Sequence, residues 1–224
     1  MKPNNIFLIF VFFVLFCDCK IYSQNKKTVT DIDGNQYSTI TIGTQVWMVE
    51  NLKVKHYRNG DTIPHIQNNA QWNKLEMGAF CEYNYQTSNS INYGNLYNWY
   101  AVSDQRNICP EGWHIPTDAE WKTLAAFLGG KVDAGGKLKE TGIKNWQSPN
   151  TGSKNETGFT ALPGGYCGGF AGFSDFGKIG YWWSSTADGN MNAFPYIMYF
   201  NNTDLSSYSS NKTYGFSIRC IKDN

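Results

Sequence analysis

Neither sign of charge dominates this chain. Its 224 residues carry 19 basic and 18 acidic side chains, a net of +1. A nucleic-acid or anionic-membrane binder concentrates Lys and Arg, and no such excess is present. Long apolar runs are missing too, apart from the eleven residues Ile6–Phe16. That run is too short for a bilayer span of about 20 residues, but after Lys2 it fits the apolar centre of a signal peptide. Ile21-Tyr22-Ser23 then puts a branched and a small residue at the −3 and −1 positions. Residues 1–23 are therefore expected to be a signal peptide cleaved after Ser23. Lipidation at Cys17 or Cys19 is the alternative, against which Phe16 and Asp18 make poor predecessors. Loss of Lys2, Asp18 and Lys20 leaves the two signs equal.

Catalytic and metal patterns are scarce as well. His56, His65 and His114 show no His-x-x-x-His or Cys/His metal spacing. His114 sits beside Trp113 and reads as a packing residue, His56 and His65 as loop residues. Ser184-Ser185 lacks the Gly-x-Ser-x-Gly elbow and any evident base. The cluster Gly164-Gly165-Tyr166-Cys167-Gly168-Gly169 has no Lys-Ser/Thr after it and opens no helix, so it reads as a tight loop and not a phosphate cradle. Cys-x-x-Cys is absent. With the signal region gone, Cys81, Cys109, Cys167 and Cys220 remain. An even number in an exported chain reads as two disulfides, and four cysteines allow three connectivities.

Aromatic residues are plentiful, at 16% of the chain, and Gly occurs 22 times. That mixture points to an irregular, loop-rich core held by ring packing. Residues 24–28 form a short polar segment, and 29–224 read as one domain, with no internal repeat or linker to divide it. Thr28–Lys53 reads as β structure, with a turn at Asp33-Gly34-Asn35 and a hairpin about Gly43. Ala79–Tyr83 reads as a short strand. Leu96, Trp99 and Tyr100 have helical spacing, so 95–102 is expected as a helix. Thr117 and Glu120 form a capping box that opens a second helix over 117–128, closed by Gly129-Gly130. A further helical stretch over 132–140 contains Gly135-Gly136. Strands are expected at 180–185, 194–200 and 216–221, with Phe216, Ile218 and Cys220 on one face of the last.

Several fragments, in order, resemble the Fibrobacter succinogenes major paralogous domain family. They include Gln45–Leu52, Tyr93–Ala101, Cys109–Pro116, Leu162–Tyr166, Tyr181–Ser185 and Gly215–Cys220, and the resemblance covers about 28–222. It implies an α+β, C-type-lectin-like domain: two short helices on small twisted antiparallel sheets, loop-rich and disulfide-stapled. In C-type lectins a cysteine before the first helix bonds one near the C-terminus, which implies Cys109 with Cys220 and leaves Cys81 with Cys167. The lectins' calcium-dependent sugar motifs, Glu-Pro-Asn, Gln-Pro-Asp and Trp-Asn-Asp, are absent. Asp175, Asp188 and Asp204 are scattered, so calcium has no support and no cofactor is expected. The stretch His114–Trp121 also resembles the helix start of the formylglycine-generating fold. That enzyme needs a reactive cysteine pair late in the chain, and the only late cysteine is Cys220, so its activity is not carried over.

Tyr181–Tyr214 stands apart: Tyr, Ser and Asn fill 16 of its 34 positions. Antibody paratopes use this mixture, large rings beside adaptable hydrogen-bonding groups. On composition, Tyr196, Tyr199, Asn201, Asn202 and Tyr208 are the candidate ligand contacts. The expectation is a non-catalytic binding module for a glycan or protein, secreted or held at the outer surface of a bacterium. A structural or adhesive component without a soluble ligand, and an enzyme on the formylglycine-generating fold, are the alternatives.

Overall fold

The computed structural model describes residues 27–169 and 172–224. The expected signal peptide, its cleavage site and the lipidation alternative lie outside the described residues. Short elements alternate along the chain. Strands β1 (Thr28–Thr30), β2 (Gln36–Ile42) and β3 (Gln45–Met48) come first, followed by helix α1 (Asn69–Trp72) and strand β4 (Phe80–Cys81). Next are α2 (Thr87–Tyr93), β5 (Leu96–Tyr97), α3 (Trp99–Val102), β6 (Trp113–His114), α4 (Asp118–Phe127) and α5 (Lys131–Leu138). The last third is strand: β7 (Tyr166–Cys167), β8 (Phe173–Ser174), β9 (Ile179–Asp188), β10 (Asn192–Tyr199), β11 (Leu205–Ser207), β12 (Ser210–Asn211) and β13 (Ile221–Lys222).

The result is a mixed helix-and-sheet fold. One sheet runs β1-β2-β3-β13-β6, so the C-terminal strand closes between the first hairpin and the strand before α4. A second sheet is built on β10, which pairs antiparallel with β9, β11 and β12. Cys109 and Cys220 are disulfide-bonded across 111 residues, tying the approach to β6 to the last strand. In the chain-entropy model a closure of that length is worth roughly 4–5 kcal/mol.

Helix α4 forms where local chemistry dictates. The Thr117 hydroxyl accepts from the Glu120 N–H at 3.2 Å, and the Glu120 carboxylate accepts from the Thr117 N–H at 2.7 Å. Trp121, Leu124 and Ala125 then point inward. Helix α5 keeps its glycines despite their propensity cost of about 1 kcal/mol each. A Cβ at Gly135 would lie 2.2 Å from the Asp204 carbonyl oxygen, so only glycine lets α5 reach the chain before β11.

Two expected elements differ. Leu96 and Tyr97 are strand, paired with Cys81 and Phe80. The helix starts only at Trp99, because the Asn98 side chain accepts from the Ala101 N–H and caps it there. The expected 216–221 strand is broken into isolated bridges, Cys167 with Gly215, Tyr97 with Phe216 and Trp182 with Ser217, leaving Ile221–Lys222 as the strand. Its parity survives, since Phe216, Ile218 and Cys220 all enter one core cluster.

The β9–β10 pair is buried on both faces. Trp182, Tyr196 and Met198 turn toward α4, α5, Trp47 and Phe159. Tyr181, Trp183 and Ile197 turn the other way, toward Phe216, Trp99 and the disulfide. A third, smaller cluster holds Trp72, Leu96, Cys81 and Cys167. A polar node joins the motif fragments: Asn51 Oδ1 accepts from Trp182 Nε1 and from Arg219 Nη2, both at 2.8 Å. Burial depresses the Arg219 guanidinium to about 9. Among the described residues, no helix is long and apolar enough to cross a membrane.

Candidate functional site

The face of β9 that carries Tyr181 ends in an open cavity of about 420 Å³. Tyr166, Asp175, Tyr181, Tyr208, Tyr214 and Phe216 line it, with Ser209, Ser210 and Asn211 at one side. Its volume falls within the range of small-ligand sites.

Each wall follows from local structure. Tyr181 lies opposite Ile197 in the β9–β10 register and stacks on Phe216, with centroids 4.9 Å apart and planes 8° apart. Tyr166 meets Tyr181 edge-on at 5.4 Å, and Tyr214 lies 5.5 Å from Tyr166. Asp175 is placed by a close backbone approach. Gly165 has φ +64°, and a Cβ there would lie 2.3 Å from the Ser174 carbonyl oxygen. Glycine therefore lets the Pro163–Gly165 loop lie against the Ser174–Phe176 turn. Asp175 itself takes a left-handed φ of 64°, with its carbonyl accepting from the Lys178 and Ile179 N–H groups.

The polar groups of the cavity converge. The Tyr181 hydroxyl donates to Asp175 Oδ2 at 2.7 Å, and the Ser174 hydroxyl contacts Oδ1 at 3.3 Å. Burial and the Asp175 carboxylate hold the Tyr181 phenol well above its ordinary range. Tyr208 is 47% exposed and closes one side, its hydroxyl set against those of Tyr199 and Tyr181. Burial, then the neighbouring Tyr199, pushes the Tyr208 phenol up to about 12. Among the described residues that line the cavity, Asp175 brings the one carboxylate, and Lys, Arg and His are absent. Such a surface can stack on a ring or apolar face, donate and accept hydrogen bonds, and attract positive charge.

The five candidates from composition separate. Tyr208 lines the cavity, and Tyr199 stands behind it as a half-buried neighbour. Tyr196 is fully buried, stacked on Trp121 at 4.8 Å, and its hydroxyl donates to Asp118 Oδ1 at 2.8 Å. It is a core residue, a correction imposed by strand parity. Asn201 and Asn202 follow the C-terminal end of β10 and are not among the lining residues. There the buried Lys139 ammonium donates to the carbonyls of Thr151, Tyr199 and Asn202 at 2.9, 2.9 and 2.8 Å. Composition passed over Asp175, Tyr166 and Tyr214. They come from strand β7 and two separate loops, and no local signal links them.

Other sequence candidates resolve structurally. His114 is not packed in the core: its ring nitrogens contact Asp223 Oδ1 at 2.6 Å and Glu120 Oε1 at 2.8 Å at the surface. Burial works against its charge, but the two carboxylates outweigh it and raise the imidazole above its ordinary value. His56 pairs with Asp33, and His65 pairs with Glu82 while stacking on Phe80. The Ser184 hydroxyl donates to the Phe194 carbonyl within the hairpin. Cys81 and Cys167, expected as the second bonded pair, are unbonded buried thiols in hydrogen-bonding contact, and burial pushes the Cys81 thiol well up. Among the described residues, no three His, Cys, Asp or Glu side chains are grouped to hold a metal ion.

No curated protein matches the chain. No solved structure matches it either. Residues 40–222, most of the sequence and every wall of the cavity, match the Fibrobacter succinogenes major domain. The chain belongs to that family.

Proposed function

We propose that this protein is a non-catalytic binding module, exported and displayed at a bacterial surface or released from it, whose ligand is a glycan or a protein. The tyrosine-lined cavity carries the reading. Tyrosine offers large contact area with few torsions to freeze, and a hydroxyl to hydrogen-bond, which suits recognition of sugars and protein loops alike. Residues 29–224 act as one domain of C-type-lectin-like fold. In support, the Cys109–Cys220 bond joins the segment before α4 to the C-terminal strand, as the lectin resemblance implies. The ligand sits in the cavity between β9 and the Tyr208–Asn211 segment, with Tyr208 as the most accessible contact.

The test is a glycan array with an insoluble-polysaccharide pull-down, run with calcium and with chelator. Saturable retention that Tyr208→Ala weakens at least tenfold is the expected result. Retention untouched by Tyr208→Ala would place the ligand elsewhere. No saturable retention of glycan or of neighbouring-cell proteins would leave a structural surface role.

A further inference from the structure

We propose that the cavity takes an organic ammonium group, the charged end of an amine ligand. The inference rests on the binding-module reading and names the chemistry of its ligand.

Charge is the first observation. Among the described residues no Lys, Arg or His lines the cavity, and Asp175 is its only carboxylic acid. Among the described residues Asp175 forms no ion pair, although eight such contacts form elsewhere. Its carboxylate has about four acceptor sites. The Tyr181 hydroxyl occupies one at 2.7 Å and the Ser174 hydroxyl reaches another at 3.3 Å. Among the described residues no other donor reaches the carboxylate. An anion here would face an uncompensated like charge, whereas an ammonium group supplies the missing counter-charge.

Ring geometry is the second. Tyr166, Tyr181, Tyr214 and Phe216 pack edge to face and face to face around the cavity, with centroids 4.9 to 6.1 Å apart. Aromatic faces are electron-rich and attract alkylammonium groups, whose methyl or methylene hydrogens carry the charge. Tyr208 adds a further, accessible ring. A neutral hydroxyl ligand would gain the hydrogen bonds but not the charge contact. Three cations stacked elsewhere at close range, Arg106 over Tyr57 at 3.9 Å, Arg219 over Phe159 at 4.0 Å and Lys212 over Trp99 at 4.4 Å, show this chain pairing rings with cations of its own. The cavity's rings have no such internal cation.

The chemistry is shared by a quaternary head group and by an amino sugar, and paired probes separate them. The folded chain is titrated with choline against its neutral isostere 3,3-dimethylbutan-1-ol, and with glucosamine against glucose, followed by calorimetry or by NMR of the tyrosine rings. At least one charged probe should bind about tenfold more tightly than its neutral partner. Choline alone would assign a head group, glucosamine alone an amino sugar. Asp175→Asn should erase that preference. Asparagine tolerates the left-handed backbone and can still accept from Tyr181, so this variant is expected to fold with an unchanged melting temperature. Equal binding of charged and neutral partners, or a preference that survives Asp175→Asn, would overturn the proposal. A neutral ligand from the array that needs Tyr208 would sink the ammonium inference while leaving the binding module intact. Failure of every probe and of the array would remove both.

Discussion

Tyr196 lies within the second sheet, and Tyr208 lies just past the end of its strand β11. Tyr208 is one residue past Ser207, the register partner of Tyr196. Yet the Tyr196 ring is sealed against Trp121 while Tyr208 is half open to solvent. Successive residues on a strand point to opposite faces, and register partners share a face. Tyr196, with Ser207, therefore faces the tryptophan layer under α4. Tyr208, one step on, faces the side of Tyr181 and Ile197. The same residue type packs the core on one face and lines an open cavity on the other. Neither role follows from composition, because parity in the sheet decides it.

The contrast can be broken most forcefully at Tyr196. Tyr196→Ala removes a fully buried ring and should cost about 3–5 kcal/mol of unfolding free energy, read by urea denaturation. A cost below about 1 kcal/mol would show that the inner face is not packed as described. Lys139→Met comes next. The buried ammonium ties the end of β10 to two neighbouring turns, and its loss leaves three carbonyls without their donor. About 2–4 kcal/mol of destabilisation is expected. His114→Gln should cost less, within about 1 kcal/mol, because the cluster is partly solvated. Its signature is pH dependence. The folded imidazole is raised above its unfolded value, so its contribution is complete below the unfolded pKa and fades as pH rises through the folded one. The stability difference between wild type and His114→Gln should shrink across that window, and a difference that grew with pH would refute the clamp. Tyr208→Ala should change stability least, by no more than about 0.5 kcal/mol.

What was legible in the sequence follows the range of the forces. The α4 start needed only Thr117 and Glu120, three residues apart, and it formed as expected. The first hairpin, from turn chemistry at Asp33-Gly34 and Gly43, also formed. The Cys109–Cys220 bond was implied by family resemblance, and no local pattern specified it. The helix over 95–102 was shortened because Leu96 and Tyr97 are claimed by β4, a partner some fifteen residues away. The cavity was the least visible. Its walls are drawn from residues 166 to 216 and meet only after β9 and β10 pair and Gly165 lets two loops touch. The paratope-like stretch did contain Tyr208, yet Trp182, Trp183, Ile197, Met198 and Leu205 within it are fully buried. Its Tyr, Ser and Asn content thus described a core strand pair and a surface loop together.

On the proposed function, recognition belongs to the cavity face and not to exposed tyrosine in general. The most direct measurement is a set of binding isotherms for wild type, Tyr208→Ala and Tyr100→Ala, using the ligand retained in the pull-down. Tyr100 lines a separate shallow depression beside Arg106 and serves as the control. The account predicts at least a tenfold loss for Tyr208→Ala and wild-type affinity for Tyr100→Ala, with all three proteins equally stable. Equal affinity for wild type and Tyr208→Ala would contradict it.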